Sequence, residues 1–112
     1  MYTVNILSDN KIDIEIIKGN TFREQIRIIN DARLGYVPSA GDEVLFQVFN
    51  KYSDDEPLFE KRIPYDTLVL DISAKETDRM KINNYVYRIR LIKQDFTVDD
   101  VIFGKFIVKG GM

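Results

Sequence analysis

Short runs in which apolar and polar residues alternate make up most of this chain, and they restrict its fold more than any other feature. The segment Ile12 to Ile16 alternates isoleucine with acidic residues, and Tyr85 to Leu91 alternates over a longer run. Successive side chains of a strand point to opposite faces, so each run predicts a strand with one buried face. Gly, Asn, Asp and Pro separate the runs, as in turns between strands.

The spacing of these runs predicts an all-β fold, an antiparallel two-sheet sandwich of seven or eight strands. One segment departs from the alternation, because Ser73 and Glu76 have the spacing of a capping box and predict a short helical turn near 74–80. The length of 112 residues suits a single domain, residues 1–112, that can bury one core. The predicted strands cover residues 12–16, 21–29, 44–50, 58–63, 68–72, 85–92 and 101–109, with a loop at 30–42.

The residue types needed for most catalysis are missing. The chain has no His and no Cys, which removes the commonest general base and the usual ligands of zinc and copper. Carboxylates remain, in the acidic clusters Asp54-Asp55-Glu56 and Asp99-Asp100, but neither has the spacing of a calcium loop. We therefore expect no enzyme activity, no metal and no cofactor; a hydrolase that uses these carboxylates is the weakest alternative.

The charge balance and the hydropathy exclude two classes of partner. The 16 basic and 18 acidic residues give a net charge of −2, without the basic excess that a nucleic-acid binder needs. No apolar run approaches the roughly 20 residues that span a bilayer, and the first residues lack the features of a signal peptide. We expect a protein that is made in the cytoplasm and contacts neither nucleic acid nor membrane.

The aromatic and outward-facing apolar residues suggest contacts with other molecules. Tyr85 begins a late strand, where a tyrosine often bonds back to the upstream backbone; the alternative is that aromatic side chains form a sugar-binding platform. Leu45 and Phe49 fall on the face of their strand opposite the predicted core, and Ile92 is similarly placed. Several apolar residues on one outer face mark an interface, so these three are the predicted protein-contact residues.

The order of the motifs resembles a known family, the immunoglobulin-like sandwich domains of tailed-phage and prophage structural proteins. The type that it resembles is the N-terminal domain of baseplate upper proteins of Gram-positive phages, together with related small tail proteins. The motifs are Lys18-Gly19-Asn20-Thr21-Phe22, Gly41-Asp42, Val44 to Val48, Glu56 to Lys61, Leu70-Asp71-Ile72-Ser73, Glu76-Thr77-Asp78, Tyr85 to Leu91 and Gly104 to Val108.

This resemblance implies a component of a virion or prophage particle. Its partners would be other tail or baseplate proteins, possible homo-oligomers included, and the family carries no catalytic residues. Many relatives continue into a longer region whereas this chain stops at Met112, so a direct role in host recognition is not expected. A carbohydrate- or cell-surface-binding module is the alternative function.

Overall fold

Nine strands and one short helix form this protein within the residues that the computed structural model describes, 3–6, 13–29, 35–36 and 38–110. The all-β class is confirmed. The elements are β1 (Thr3–Ile6), β2 (Ile14–Ile17), β3 (Phe22–Ile29), β4 (Gly35–Tyr36), β5 (Glu43–Phe49), β6 (Phe59–Ile63), β7 (Val69–Ile72), α1 (Ala74–Asp78), β8 (Asn83–Ile92) and β9 (Val98–Lys109).

The strands form two sheets. The five-stranded sheet has the order β2-β9-β8-β5-β6. In the four-stranded sheet, β3 pairs with β7 through its first half and with β1 and β4 through its second half. All of these pairs are antiparallel except β2 with β9, which runs parallel and places Ile14 opposite Phe106.

Two details of the predicted sandwich are wrong. The sheets are not purely antiparallel, because β2 joins the edge of the five-stranded sheet while the next strand, β3, belongs to the other sheet. Alternation identifies the buried face of a strand but not the direction of its neighbour. The described residues also hold nine strands instead of seven or eight, since β1 precedes the first predicted strand and the two-residue β4 lies in the predicted loop 30–42.

The core lies between the two sheets. Phe46 is at its centre, with its ring 5.6 Å from Phe106 and 5.4 Å from Tyr87, measured between ring centroids. Burying a side chain of this size contributes about 1.5–3 kcal/mol. The other buried members are Ile14, Ile16, Ile26, Val44, Val48, Ile63, Leu70, Ile72, Ile89, Leu91 and Val108.

The helix α1 begins at the predicted capping box. The Ser73 hydroxyl accepts from the Glu76 N–H at 3.2 Å, and the Ser73 N–H donates to the Glu76 carboxylate at 3.0 Å. The buried Thr77 hydroxyl donates to the Asn20 carbonyl at 2.7 Å and accepts from the Gly19 N–H at 3.1 Å. Five residues are too few to form a stable helix alone, so these tertiary bonds to the β2–β3 turn hold α1 in place. Within the described segments, no helix has the length and apolarity to cross a membrane.

Candidate functional site

The three predicted contact residues lie on the outer face of the five-stranded sheet, away from the core. Leu45 and Ile92 are half-buried there. Phe49 is only 2% exposed, although it is not part of the core cluster. The expectation that Phe49 is accessible to a partner is therefore wrong. The outer face exposes less apolar surface to solvent than the alternation indicates.

The Arg88 side chain, held by a row of polar side chains, lies over Phe49. The Arg88 guanidinium lies 4.7 Å from the centre of the Phe49 ring, in cation–π geometry. Nε and Nη2 of Arg88 donate to the Gln47 amide oxygen at 2.9 and 2.7 Å, and the Gln47 amide nitrogen donates to Glu60 at 2.5 Å. These residues are opposite one another on β6, β5 and β8. Sequence alternation shows where Phe49 points but does not show that a long neighbouring side chain lies over it.

The most exposed large apolar side chain in the described residues is Phe96, at the tip of the β8–β9 hairpin, with 85% of its surface accessible. Its N–H donates to the Lys93 carbonyl at 2.8 Å, and the Lys93 N–H donates to the Thr97 carbonyl at 2.9 Å. This is a three-residue hairpin loop whose last residue is left-handed, a position that normally holds glycine. Phe96 occupies it with a φ of +67°, and Val98 beside it is 49% exposed. We call residues 93–98 the Phe96 tip.

Hydrogen bonds within and below the tip hold its backbone in position. The Asp95 carboxylate accepts from the Thr97 N–H at 2.9 Å, and the Gln94 N–H donates to the Asp42 carboxylate at 3.1 Å. The hydrogen bonds from Thr97, side chain first and then backbone, keep the pKa of Asp95 below its ordinary value. Gly41 lies so close that an added Cβ would be 2.9 Å from Gln94 Cγ. The tip therefore presents an aromatic ring and an ionised carboxylate on a well-supported turn.

A second left-handed residue shows why Phe96 is unusual. Leu68 has a φ of +53°, its side chain packs against the core, and its carbonyl accepts from the Ile26 N–H at 2.8 Å. Burial of an apolar side chain offsets the cost of that backbone conformation. Phe96 has the same kind of backbone strain, but its ring is in solvent and gains no burial that offsets the strain. Backbone strain that packing does not offset is typical of functional positions.

An open groove lies at the other end of β8, beside α1. It has a volume of about 640 Å³. The Tyr85 hydroxyl donates to the Lys81 carbonyl at 2.9 Å and stabilises one wall of the groove. The predicted bond of Tyr85 to the upstream backbone is therefore confirmed. Leu58, 58% exposed, stands at the groove's edge. The apolar side chains that line this α1 groove are Val48, Phe59, Met80, Tyr85 and Phe106.

The charged groups of the α1 groove leave a positive rim. Lys61, on the core-facing side of the edge strand β6, donates a hydrogen bond to the Glu76 carboxylate. Desolvation is the largest single influence on the pKa of Glu76 and raises it, but the hydrogen bonds from Lys61 and Ser73 and the charge of Lys61 together lower it. Glu76 is thus ionised and neutralised by Lys61. The exposed cations Arg79 and Lys81 then give the groove its charge.

The acidic clusters show no arrangement for chemistry where they can be described. Asp54 accepts from the Lys51 N–H at 3.2 Å, which is a turn contact. The side chains of Asp99 and Asp100 lie outside the described residues. In the part of the chain that the structure covers, no group of three or more acidic side chains could hold a metal ion. The expectation of a protein without enzyme activity or metal remains a prediction.

The Phe96 tip and the α1 groove were both missed by the sequence analysis. Phe96 had a signal in the sequence, since a bulky aromatic residue occupies the connection between the predicted strands 85–92 and 101–109, where Gly or Asn is expected. The groove had no signal in the sequence, because its lining comes from five elements and two connections that only the folded chain brings together.

No family model matches the chain, and no curated protein matches it.

Proposed function

We propose that this domain is a non-enzymatic assembly module that acts through protein–protein contacts, in a phage or prophage tail or baseplate. The observation that carries the proposal is the Phe96 tip. A solvent-exposed aromatic ring on a strained turn is unfavourable for a domain on its own, and it becomes favourable when a partner buries the ring.

The energies support a binding role for Phe96. A left-handed conformation costs about 1–2 kcal/mol for a residue with a Cβ, out of a total stability of about 5–15 kcal/mol. An aromatic side chain buries about 150–250 Å² when it is covered. A few such anchors supply most of the binding energy at protein interfaces. The free energy gained when a partner buries the Phe96 ring therefore exceeds the free energy that the left-handed backbone costs the free domain.

The strand arrangement supports an immunoglobulin-like sandwich. The neighbouring strands β9-β8-β5-β6 have the order of the G, F, C and C′ strands in variable-type immunoglobulin domains. The bond from Tyr85 to the Lys81 carbonyl, four residues upstream, has the form of a tyrosine corner at the start of the F strand. In this assignment Phe96 lies in the F–G loop, one of the loops that bind partners in variable domains.

The place in a particle rests on the family resemblance of the sequence motifs. The turn at Lys18-Gly19-Asn20 packs on α1, and the Tyr85 to Leu91 motif forms the centre of β8. These motifs therefore have structural roles that an immunoglobulin-like tail protein would share. The partners would be other tail or baseplate proteins, and the protein would be found in the particle.

Purified particles test this placement. Prophages of the source strain are induced with mitomycin C, particles are banded on a density gradient, and the protein is quantified by immunoblot against a major tail protein. The expected result is co-migration at a fixed ratio to that protein. A protein that is abundant in the lysate and absent from intact particles would overturn the particle role.

A carbohydrate-binding module is the second candidate, and the exposed ring of Tyr52 favours it. Tyr52 is 52% exposed, while its hydroxyl donates to the Gly104 carbonyl at 3.0 Å. Calorimetric titration with purified peptidoglycan and teichoic acid fragments separates the two candidates. Saturable binding that Tyr52→Ala abolishes would support the carbohydrate module, and a titration without any heat of binding would count against it.

A further inference from the structure

We infer that the α1 groove of one molecule receives the Phe96 tip of a second copy of this chain, so that molecules associate head to tail. The inference deepens the proposed function, since it assigns one partner to the protein contacts proposed above. It follows from the positions, shapes and charges of the two sites.

The two sites lie at opposite ends of the same strand. The groove is lined by Asn83 and Tyr85 at the start of β8, and the Phe96 tip follows its last residue, Ile92. Ten strand residues span about 33 Å at 3.3 Å per residue. The tip therefore cannot reach the groove of its own molecule, whereas it can reach the groove of a neighbour. Such a contact uses different surfaces on the two copies and builds a ring or a filament.

The groove suits an aromatic ring. Its volume of about 640 Å³ lies within the range of pockets that bind drug-sized molecules, so a phenyl ring has room to enter. Phe59 and Tyr85 are half-buried in its wall and offer edge or offset contacts to a phenyl ring. Met80, also half-buried, places a thioether beside them, and sulfur–aromatic contacts are favourable.

The carboxylate beside Phe96 is complementary in charge to the rim of the groove. Asp95 is directly beside Phe96 and fully exposed, so it would arrive at the groove together with the ring. The rim of the groove presents Arg79 and Lys81, and its one acidic lining residue, Glu76, is already paired with Lys61. Charge complementarity of this kind sets the orientation of a docked partner.

Light scattering after size exclusion, from low micromolar to near-millimolar concentration, tests the inference on the full chain. The wild-type protein is expected to associate as concentration rises, from a mass of 13.1 kDa. Two variants at exposed positions, Phe96→Ser in the tip and Leu58→Glu at the groove, are each expected to weaken association at least about tenfold. Tyr65→Ser is the matched control, because Tyr65 is an exposed aromatic residue, 40% accessible, on another turn. It should associate like the wild type.

Mixing the two variants gives the decisive result. Phe96→Ser keeps an intact groove and Leu58→Glu keeps an intact tip, so an equimolar mixture should form a 1:1 dimer that neither variant forms alone. A mixture that stays monomeric would overturn the head-to-tail contact, and so would a wild-type protein that is monomeric at every concentration. Either failure leaves the particle experiment above unaffected, so the loss of this inference is distinguishable from the loss of the proposed function.

Discussion

Replacement of Phe96 by glycine should stabilise the free domain while removing its ability to associate. The backbone at this position has a φ of +67°, which glycine adopts without a steric penalty. The ring that is removed is 85% exposed, so little burial is lost within the molecule. An increase in stability upon loss of a large apolar side chain would show that the position is selected for something other than folding.

The size of the effect follows from two opposing contributions. Relief of the left-handed conformation stabilises the fold by about 1–2 kcal/mol. Glycine also gives the unfolded chain more freedom, which costs about 0.5–1 kcal/mol. At the midpoints of these two ranges the net gain is about 0.75 kcal/mol. Unfolding entropy for 112 residues is roughly 0.24 kcal/mol per kelvin, so Tm should rise by about 3 °C.

Urea denaturation and scanning calorimetry at low micromolar concentration measure this gain, because association at higher concentration would itself stabilise the wild-type protein. Phe96→Ala is the matched control: it removes the ring and keeps the left-handed strain, so its stability should not rise. Leu68→Gly is the second control and should be destabilising, since its side chain packs against the core. Equal stability of Phe96→Gly and Phe96→Ala would refute the argument that the tip is strained.

Three further changes probe the framework that supports the two sites. Tyr85→Phe should lower the free energy of unfolding by about 1 kcal/mol in urea titrations, because the upstream backbone carbonyl loses its hydrogen bond; an unchanged midpoint would contradict a role for the hydroxyl. Glu76→Gln should cost less than about 1 kcal/mol at pH 7, since its pair with Lys61 is about one-third exposed. The pKa of Glu76 is lowered in the folded state, so its contribution is present above about pH 4.3 and is lost as the pH falls through that lowered pKa. The two proteins should therefore converge in stability in acid, and a difference that persists there would exclude the charge as its cause. Gly41→Ala should destabilise by at least about 1 kcal/mol, because its φ is +103° and the new Cβ would meet Gln94; amide hydrogen exchange at the tip should accelerate, and unchanged exchange would show that this contact does not support the tip.

The parts of the fold that were predictable are those that local pattern determines. Val44, Phe46 and Val48 fill the core as their alternation predicts, and each is at most 3% exposed. The capping box at Ser73 and Glu76 depends on residues three apart, so the short helix that follows it could also be predicted from the sequence. Apolar–polar alternation within this strand therefore predicts which of its side chains are buried between the sheets.

The parts that were not predictable depend on contacts between distant segments. The parallel pairing of β2 with β9 joins residues more than 90 positions apart, and alternation is the same in either direction. Phe49 is covered by Arg88, which comes from a different strand. The α1 groove is likewise a product of packing. Phe96 is the exception, because the sequence alone shows a bulky aromatic residue in a turn where Gly or Asn is expected.

Site-specific cross-linking from position 96 tests the central claim most directly. The Phe96→benzoylphenylalanine variant is irradiated at high concentration, and the linked peptides are identified by mass spectrometry with isotopically mixed chains. The account predicts links between two molecules, from position 96 to groove residues such as Met80 and Leu58. Links from tip to tip, or no link between molecules at any concentration, would contradict it.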